Sequence, residues 1–308
     1  MKRYVLRSKV KLKYATEEYD VWSVFGTPAA DEAAGLAKRW WKFGSGGAAE
    51  PQWEFETGAW AEVGRGLREG EVGCWDLRGG WGQMGMGRRL LVKKGEMPLF
   101  SSDHEIVKSS DYDLRRMLLG VPEGPKEIIP GSALPLESCM DVNNGGQELT
   151  VRTYHTGNTR KRIAPIRFLP TTSTCEQSML PPHGPLKWSD FPTAQNPRPE
   201  PGQPINYVPP STSASQKPKP AVKVLSLHPE YAVGLGMIRL ELAERVWGTS
   251  AFGEAPKMLG KDGELGRLVV GDATAAGGDA SWQVWAGRGR AWYQPGEDVQ
   301  QSAATTHV

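Results

Sequence analysis

The sequence predicts an α+β fold that ends in a small β-barrel, and three observations predict it. Apolar and polar residues alternate with period 2 in several short runs, as half-buried strands require. One segment, after Asp111, carries both the start and the stop signals of a helix. From Ala221 onward short apolar runs return between glycine turns, a spacing that suits a barrel or sandwich. With 308 residues the chain has the length of about two domains and can bury a sizeable core.

The first strand is expected around Val10 to Tyr14, where Val10, Leu12 and Tyr14 alternate with Lys9, Lys11 and Lys13. The acid-free start has the charge of a mitochondrial presequence, but presequences are helical amphipaths, so Met1 is expected to open inside a fold. After the acidic turn Glu17-Glu18, a second strand runs from Tyr19 to Phe25 and stops at Gly26-Thr27-Pro28. Residues 27–83 are expected to be an irregular insertion, because glycines interrupt Trp40, Trp41, Trp53 and Trp60 without a sustained period. A short strand follows at Arg89 to Lys93.

Asp111 is expected to cap a helix with Leu114, Met117 and Leu118 on one apolar face. Gly120 occupies the left-handed position after the helix end, and Pro122 forbids continuation. Strand-like alternation resumes in Leu149 to Thr153 and Ile163 to Leu169. Residues 170–220 hold 13 of the 24 prolines and 11 Ser or Thr, a composition with little to bury against the entropy of ordering, so a disordered insertion is expected. Beyond it Val222, Val224 and Leu227, then Tyr231 to Leu242, Leu268 to Val270, and Trp282, Val284 and Trp292 are expected to form the barrel or sandwich strands, with Glu241 to Val246 equally compatible with helix.

Composition narrows the function classes. A net charge of +2 gives no electrostatic case for nucleic acid, and no apolar run approaches the ~20 residues of a membrane helix. Cys74, Cys139 and Cys175 are odd in number and far apart, which argues against a disulfide framework or a zinc cage and for a reducing compartment. His104, His155, His183, His228 and His307 show no metal-ligand spacing. No G-x-S-x-G elbow is present. Gly82-Gln83-Met84-Gly85-Met86-Gly87-Arg88-Arg89 could hold an anion on glycine amides, but it matches neither phosphate-loop pattern and reads as a structural turn. No catalytic or metal-ligating set emerges.

The densest polar stretch is Gly146-Gln147-Glu148-Leu149-Thr150-Val151-Arg152-Thr153-Tyr154-His155-Thr156-Gly157, followed by Arg160-Lys161-Arg162. If extended, it places Glu148, Thr150, Arg152 and Tyr154 on one face and Leu149, Val151, Thr153 and His155 on the other. Read from the residues alone, it is either a binding strand or a salt-bridged edge strand that ends at Gly157.

Family resemblance bears on that choice. Gly120-Val121-Pro122-Glu123-Gly124-Pro125, Leu134-Pro135-Leu136-Glu137-Ser138, Gly146-Gln147-Glu148-Leu149-Thr150, Arg152 to Gly157 and Lys161-Arg162 together resemble the mitochondrial iron–sulfur cluster assembly factors. These are relatives of bacterial YgfZ in the folate-binding superfamily of the glycine-cleavage T protein. The resemblance covers residues 1–26, 84–169 and, more weakly, 221–295. It implies an incomplete folate-binding, T-protein-like core over 1–162, a C-terminal small β-barrel over 163–300 and a disordered tail at 301–308.

The resemblance also implies a function. The expected role is maturation of 4Fe-4S proteins, including aconitase-like and radical enzymes, in the mitochondrial matrix. Expected partners are an A-type iron–sulfur scaffold protein and client apoproteins, with neither nucleic acid nor membrane. Folate or an iron–sulfur cluster is the implied bound group, and Gly146, Gln147, Glu148, Arg152 and His155 are the implied binding residues. Arg152 would position an anion and His155 would act as a neutral donor or ligand. The alternatives are a tetrahydrofolate-dependent aminomethyl or one-carbon transferase, and an inactive truncated product.

Two departures from the family pattern stand out. The family's K-G-C-[YF]-x-G-Q-E hallmark is reduced here to Gly146-Gln147-Glu148, with Asn143 where its cysteine belongs; a short deletion is the simplest account. The family's early strands also precede the segment that opens this chain. A sheet without those partners is expected to expose edges and apolar faces.

Overall fold

The computed structural model describes residues 13–26, 37–43, 49–55, 67, 69–80, 85–99, 104–131, 134–139, 160–170, 185–191, 197–209, 219–247, 266–271, 282–289 and 292. The chain divides into two compact units. The first holds Met1–Ala37, Phe55–Asp76 and Trp81–Val107, and the second holds the rest.

The first unit is built on an antiparallel sheet of three strands: β1 (Tyr19–Val24), β4 (Val72–Trp75) and β5 (Arg88–Lys93), with β5 in the centre. The strand expected at Tyr19 to Phe25 is thus present, and the one at Arg89 begins a residue earlier. The strand expected around Val10 to Tyr14 falls partly outside the described residues, and Lys13 and Tyr14 lie before a turn rather than in a strand. Leu90 and Val92 of β5 are fully buried, as their period-2 spacing demands. On the other face Val21 and Val72 both stand opposite Leu91, and all three are exposed. Val21, Leu91 and Val72 thus form an exposed apolar row on this face.

The 27–83 insertion is not irregular throughout. Residues β2 (Ala37–Phe43) and β3 (Ala49–Phe55) form a two-stranded sheet, and β4 also lies inside the insertion. In the hairpin the Arg39 guanidinium stacks over the rings of Trp41 and Trp53 at 5.0 and 5.7 Å. An arginine held between indoles occupies the position an aliphatic residue would take, and this hides the alternation from a count of apolar residues.

The second unit contains a closed six-stranded antiparallel barrel. Its strands are β6 (Lys161–Pro170), β7 (Pro204–Val208), β8 (Lys219–Leu227), β9 (Val233–Arg239), β10 (Arg267–Val270) and β11 (Trp282–Ala286), in the spatial order β10-β11-β6-β9-β8-β7. Pairing of β7 with β10 closes the ring and removes both sheet edges. Ile166, Phe168, Ile205, Tyr207, Val224, Leu268, Val284 and Trp282 fill the interior. At Gly236 of β9 a Cβ would lie 3.2 Å from methyls of Ile166 and Ile205, so a glycine lets the walls of so small a barrel approach.

The expectation of disorder across 170–220 is corrected for residues 185–191 and 197–209. Strand β7 is a barrel wall, and its Ile205 and Tyr207 alternate inward. Trp188 is buried against Phe168 and Trp282 with ring centroids 5.5 Å away in each case. Its indole donates to the carbonyl of His228 at 2.9 Å, and that of Trp282 donates to the carbonyl of Pro197 at 2.9 Å. Arg198 covers the Trp188 ring at 4.9 Å and donates to the His228 carbonyl at 2.6 Å. Averaging over a proline-rich window concealed these few large side chains, each of which buries enough apolar area to order its segment.

Helix α1 (Ser109–Leu119) packs on β6 and β9. Its N-cap is Lys108 rather than Asp111, whose carboxylate sits at N3 and accepts the Lys108 amide at 2.9 Å. Gly120 has φ +73° and donates its amide to Met117. A Cβ there would lie 2.9 Å from Pro165 and 2.8 Å from Gly289, so the stop signal is also a close-packing point. One turn, α2 (Gly124–Glu127), follows, and α3 (Leu240–Trp247) buries Leu242, Ala243 and Val246 after β9.

Candidate functional site

Gly146, Gln147, Glu148, Arg152 and His155 lie outside the described residues, and so does the alternation at Leu149 to Thr153. The residues at which that segment leaves and rejoins the described chain are placed. On the outgoing side, Leu134 to Cys139 form tight turns in which the Glu137 carboxylate accepts the Leu134 amide at 2.9 Å. On the returning side, Arg160 precedes β6 and its carbonyl accepts the Leu240 amide at 2.9 Å.

These two sides are fastened together. The Ile163 amide donates to the Glu137 carbonyl at 2.9 Å, and the buried Cys139 thiol donates to the Ile163 carbonyl at 3.3 Å. Lys161 lies 3.5 Å from the Glu137 carboxylate. The chain on either side of the twenty residues between Cys139 and Arg160 is therefore joined beside the barrel. Cys139 itself faces inward, with φ +59°, and its sulfur is used by the backbone.

A second polar centre was not legible in the sequence. Nη1 of Arg116 lies 2.9 and 2.8 Å from the two oxygens of Glu127, and both side chains are buried. Glu127 also accepts the Ser226 hydroxyl at 2.7 Å and the Glu123 amide at 2.7 Å. Burial depresses the Arg116 pKa, but the hydrogen bonds and charges of Glu127 and Asp113 outweigh it and leave the group raised. Beside this centre, Tyr112 donates to Glu123 at 2.6 Å and Arg78 pairs with Glu123 at 2.6 Å. Both oxygens of Glu127 are engaged, so the arrangement ties α1 and α2 to β8. The available signal was a charged residue beside Met117 on the buried stripe of the helix.

His228, buried at the β8–β9 turn, is likewise structural. Its Nδ1 accepts the amides of Glu230 and Tyr231 at 3.2 and 3.0 Å, which puts the proton on Nε2, 2.9 Å from the Ser110 carbonyl of α1. The glycine-rich turn also serves the fold. Gly87 has φ +77° and accepts the Asp76 amide, Arg88 is buried over the Trp75 ring at 4.8 Å, and Arg89 pairs with Asp76 at 3.3 Å. Among the described residues no cluster of His, Cys, Asp and Glu has the arrangement of a metal site. His155, His183, His307 and Cys175 lie outside those residues.

No protein-family model matches the chain. A protein of Cryptococcus neoformans var. neoformans serotype D named iron–sulfur cluster assembly factor IBA57 homolog, mitochondrial, is 44% identical over 313 aligned positions, covering 97% of this chain and 77% of that protein. The chain belongs to the IBA57 family. The family itself is part of the YgfZ and T-protein-like group. A Neurospora crassa IBA57 homolog is 36% identical over 181 positions, 55% of this chain and 40% of its own length. Human IBA57 is 45% identical over 93 positions, 27% of this chain and 26% of its own. The resemblance read from Gly120 to Arg162 is thereby confirmed as family membership.

Proposed function

We propose that this IBA57-family chain is a mitochondrial iron–sulfur cluster assembly factor that assists maturation of 4Fe-4S proteins, aconitase-like and radical enzymes among them. The observation that carries this reading is the 44% identity to a protein of that name across 97% of the chain. An assembly factor works by contact with iron–sulfur proteins. The specific partners proposed are an A-type scaffold protein, which delivers the cluster, and the client apoproteins, with the matrix as the place of action. Among the described residues no helix is long and apolar enough to cross a membrane.

The working segment is proposed to lie between Cys139 and Arg160, with Gly146, Gln147, Glu148, Arg152 and His155 as the residues that contact the partner or its bound group. What supports this is that the chain on either side of the segment is fastened together through Glu137, Cys139 and Ile163. The residues up to 162 are proposed to derive from a folate-binding, T-protein-like core, and 163–300 to be the terminal barrel module, with 301–308 a tail. The uncovered row Val21, Leu91 and Val72 supports the first part, because a sheet belonging to a larger core leaves such a row.

Deleting the gene in its own organism tests the function. The expected result is loss of aconitase activity and of protein lipoylation while enzymes with 2Fe-2S clusters keep theirs. Unchanged aconitase activity in the deletion strain would overturn it.

A further inference from the structure

The buried and half-buried cations of the barrel unit meet acceptors almost everywhere: Arg116 has Glu127 and Asp113, Arg198 has two carbonyls, and Arg78 has Glu123. Arg167 of β6 is different. It is half-buried, and burial alone acts on it, lowering its pKa with no acid contributing. It makes no hydrogen bond or ion pair with any described residue. Directly across the ladder stands Trp285 of β11, whose indole N–H is buried and has no acceptor.

Both side chains are on the outer wall, since their neighbours Ile166, Phe168, Val284 and Ala286 belong to the interior. Directly opposed residues of an antiparallel pair have Cβ atoms about 5 Å apart, so the two side chains leave the wall side by side. Gln283, two residues before Trp285 and opposite Leu169, offers a side-chain amide on the same face. Buried donors are nearly always satisfied in folded proteins, and an unpaired half-buried guanidinium costs far more than an unpaired amide. An indole donor without an acceptor also occurs at Trp22, so the indole alone marks nothing; its place opposite an unpaired guanidinium indicates that the acceptor comes from outside the chain.

We propose that Arg167 and Trp285 form a binding site for a carboxylate on the outer wall of the barrel. The ligand is monoanionic in charge and planar in shape. A guanidinium presents parallel N–H groups that match two coplanar oxygens, and one positive charge balances one carboxylate. A phosphate dianion needs a second cation, and the neighbours on that face, Val233, Leu169 and Pro165, supply none. The carboxylate belongs either to a free small acid or to an Asp or Glu side chain of a partner. The site lies outside the loop assigned to assembly, so its test is independent of that assignment.

The test follows the indole N–H resonance of Trp285 in the full chain labelled with nitrogen-15, assigned by its disappearance in Trp285→Phe. Propionate, acetyl-glutamyl amide, inorganic phosphate and chloride are titrated at constant ionic strength. Saturable shifts with the two carboxylates, and none with chloride or phosphate, are expected. Stronger binding of propionate supports a free acid as the source, and equal binding of both supports a side-chain carboxylate. Arg167→Leu should weaken the carboxylate response by ~10-fold or more, the loss of one charge-assisted pair. Should Arg167→Leu fail to fold, Arg167→Lys keeps the charge without the fork and is expected to bind several-fold more weakly. No carboxylate shift, an equal shift with chloride, or an undiminished shift in either Arg167 variant would overturn the proposal.

Discussion

Arg116 and Glu127, eleven positions apart, form a buried pair in which one guanidinium nitrogen bridges both carboxylate oxygens at 2.9 and 2.8 Å. With the Ser226 hydroxyl on the same carboxylate, this pair fixes helix α1 and turn α2 to strand β8. The loop proposed to act in cluster assembly springs from the chain that follows, so its foundation depends on a polar tether as well as on packing.

Removing one partner strands the other. Glu127→Ala is expected to destabilise the chain by about 3–5 kcal/mol, because a buried guanidinium is left without its acid. Urea unfolding gives the value. The double variant Arg116→Met with Glu127→Leu is expected to recover much of the loss, since an apolar pair carries no desolvation penalty.

Gly120 is constrained twice, by φ +73° and by Pro165 and Gly289 within 3 Å of any Cβ. Gly120→Ala is therefore expected to cost about 2 kcal/mol or more, from left-handed strain with crowding added. Thermal unfolding monitored by circular dichroism should show the lower midpoint with an unchanged folded spectrum.

The aromatic cluster of Phe168, Trp188, Phe191 and Trp282 joins the 185–191 segment to the barrel wall. Trp282→Ala is expected to cost about 3–5 kcal/mol through the cavity it leaves. Trp282→Phe keeps most of the volume but loses the hydrogen bond to the Pro197 carbonyl, and about 1–2 kcal/mol is expected. Denaturant midpoints of the two variants separate cavity from hydrogen bond.

The Asp20 carboxylate is held below its ordinary value of 3.8 by the Gly95 amide first and by Lys94 second. A lowered folded pKa means that the unfolded chain takes up the proton first. The contribution to stability is therefore complete above the unfolded value and is lost as pH falls from there through the folded value. Asp20→Asn is expected to flatten the acid limb of stability below about pH 4 and to leave neutral stability nearly unchanged, as exposed pairs contribute little there. Stability measured from pH 2 to 7 in both proteins checks this.

Much of the fold could be read from the chain. Helix α1 announced itself through Gly120 and Pro122, and β6, β10 and β11 through plain alternation of large apolar residues. Asp111 reads as the cap in sequence but stands three positions beyond it at N3, because its carboxylate reaches back to the Lys108 amide. Hairpin β2–β3 was hidden because Arg39 does the work of an apolar residue between Trp41 and Trp53. Strand β7 was hidden because Ile205 and Tyr207 sit among prolines that dominate any average. The Arg116–Glu127 tether had no periodic signature, since Glu127 is buried by a single turn whose position only the barrel defines. Glu148, Arg152 and His155 rest on the family resemblance and not on their own spacing, and they lie outside the described residues.

The most direct measurement of the central claim is aconitase activity in a strain depleted of its own IBA57 protein and supplied with this chain behind a matrix-targeting sequence. Restored activity, reduced again by Glu148→Ala combined with Arg152→Ala at equal protein level, is the predicted result. Imported, folded chain that accumulates in the matrix and restores no activity would contradict the account.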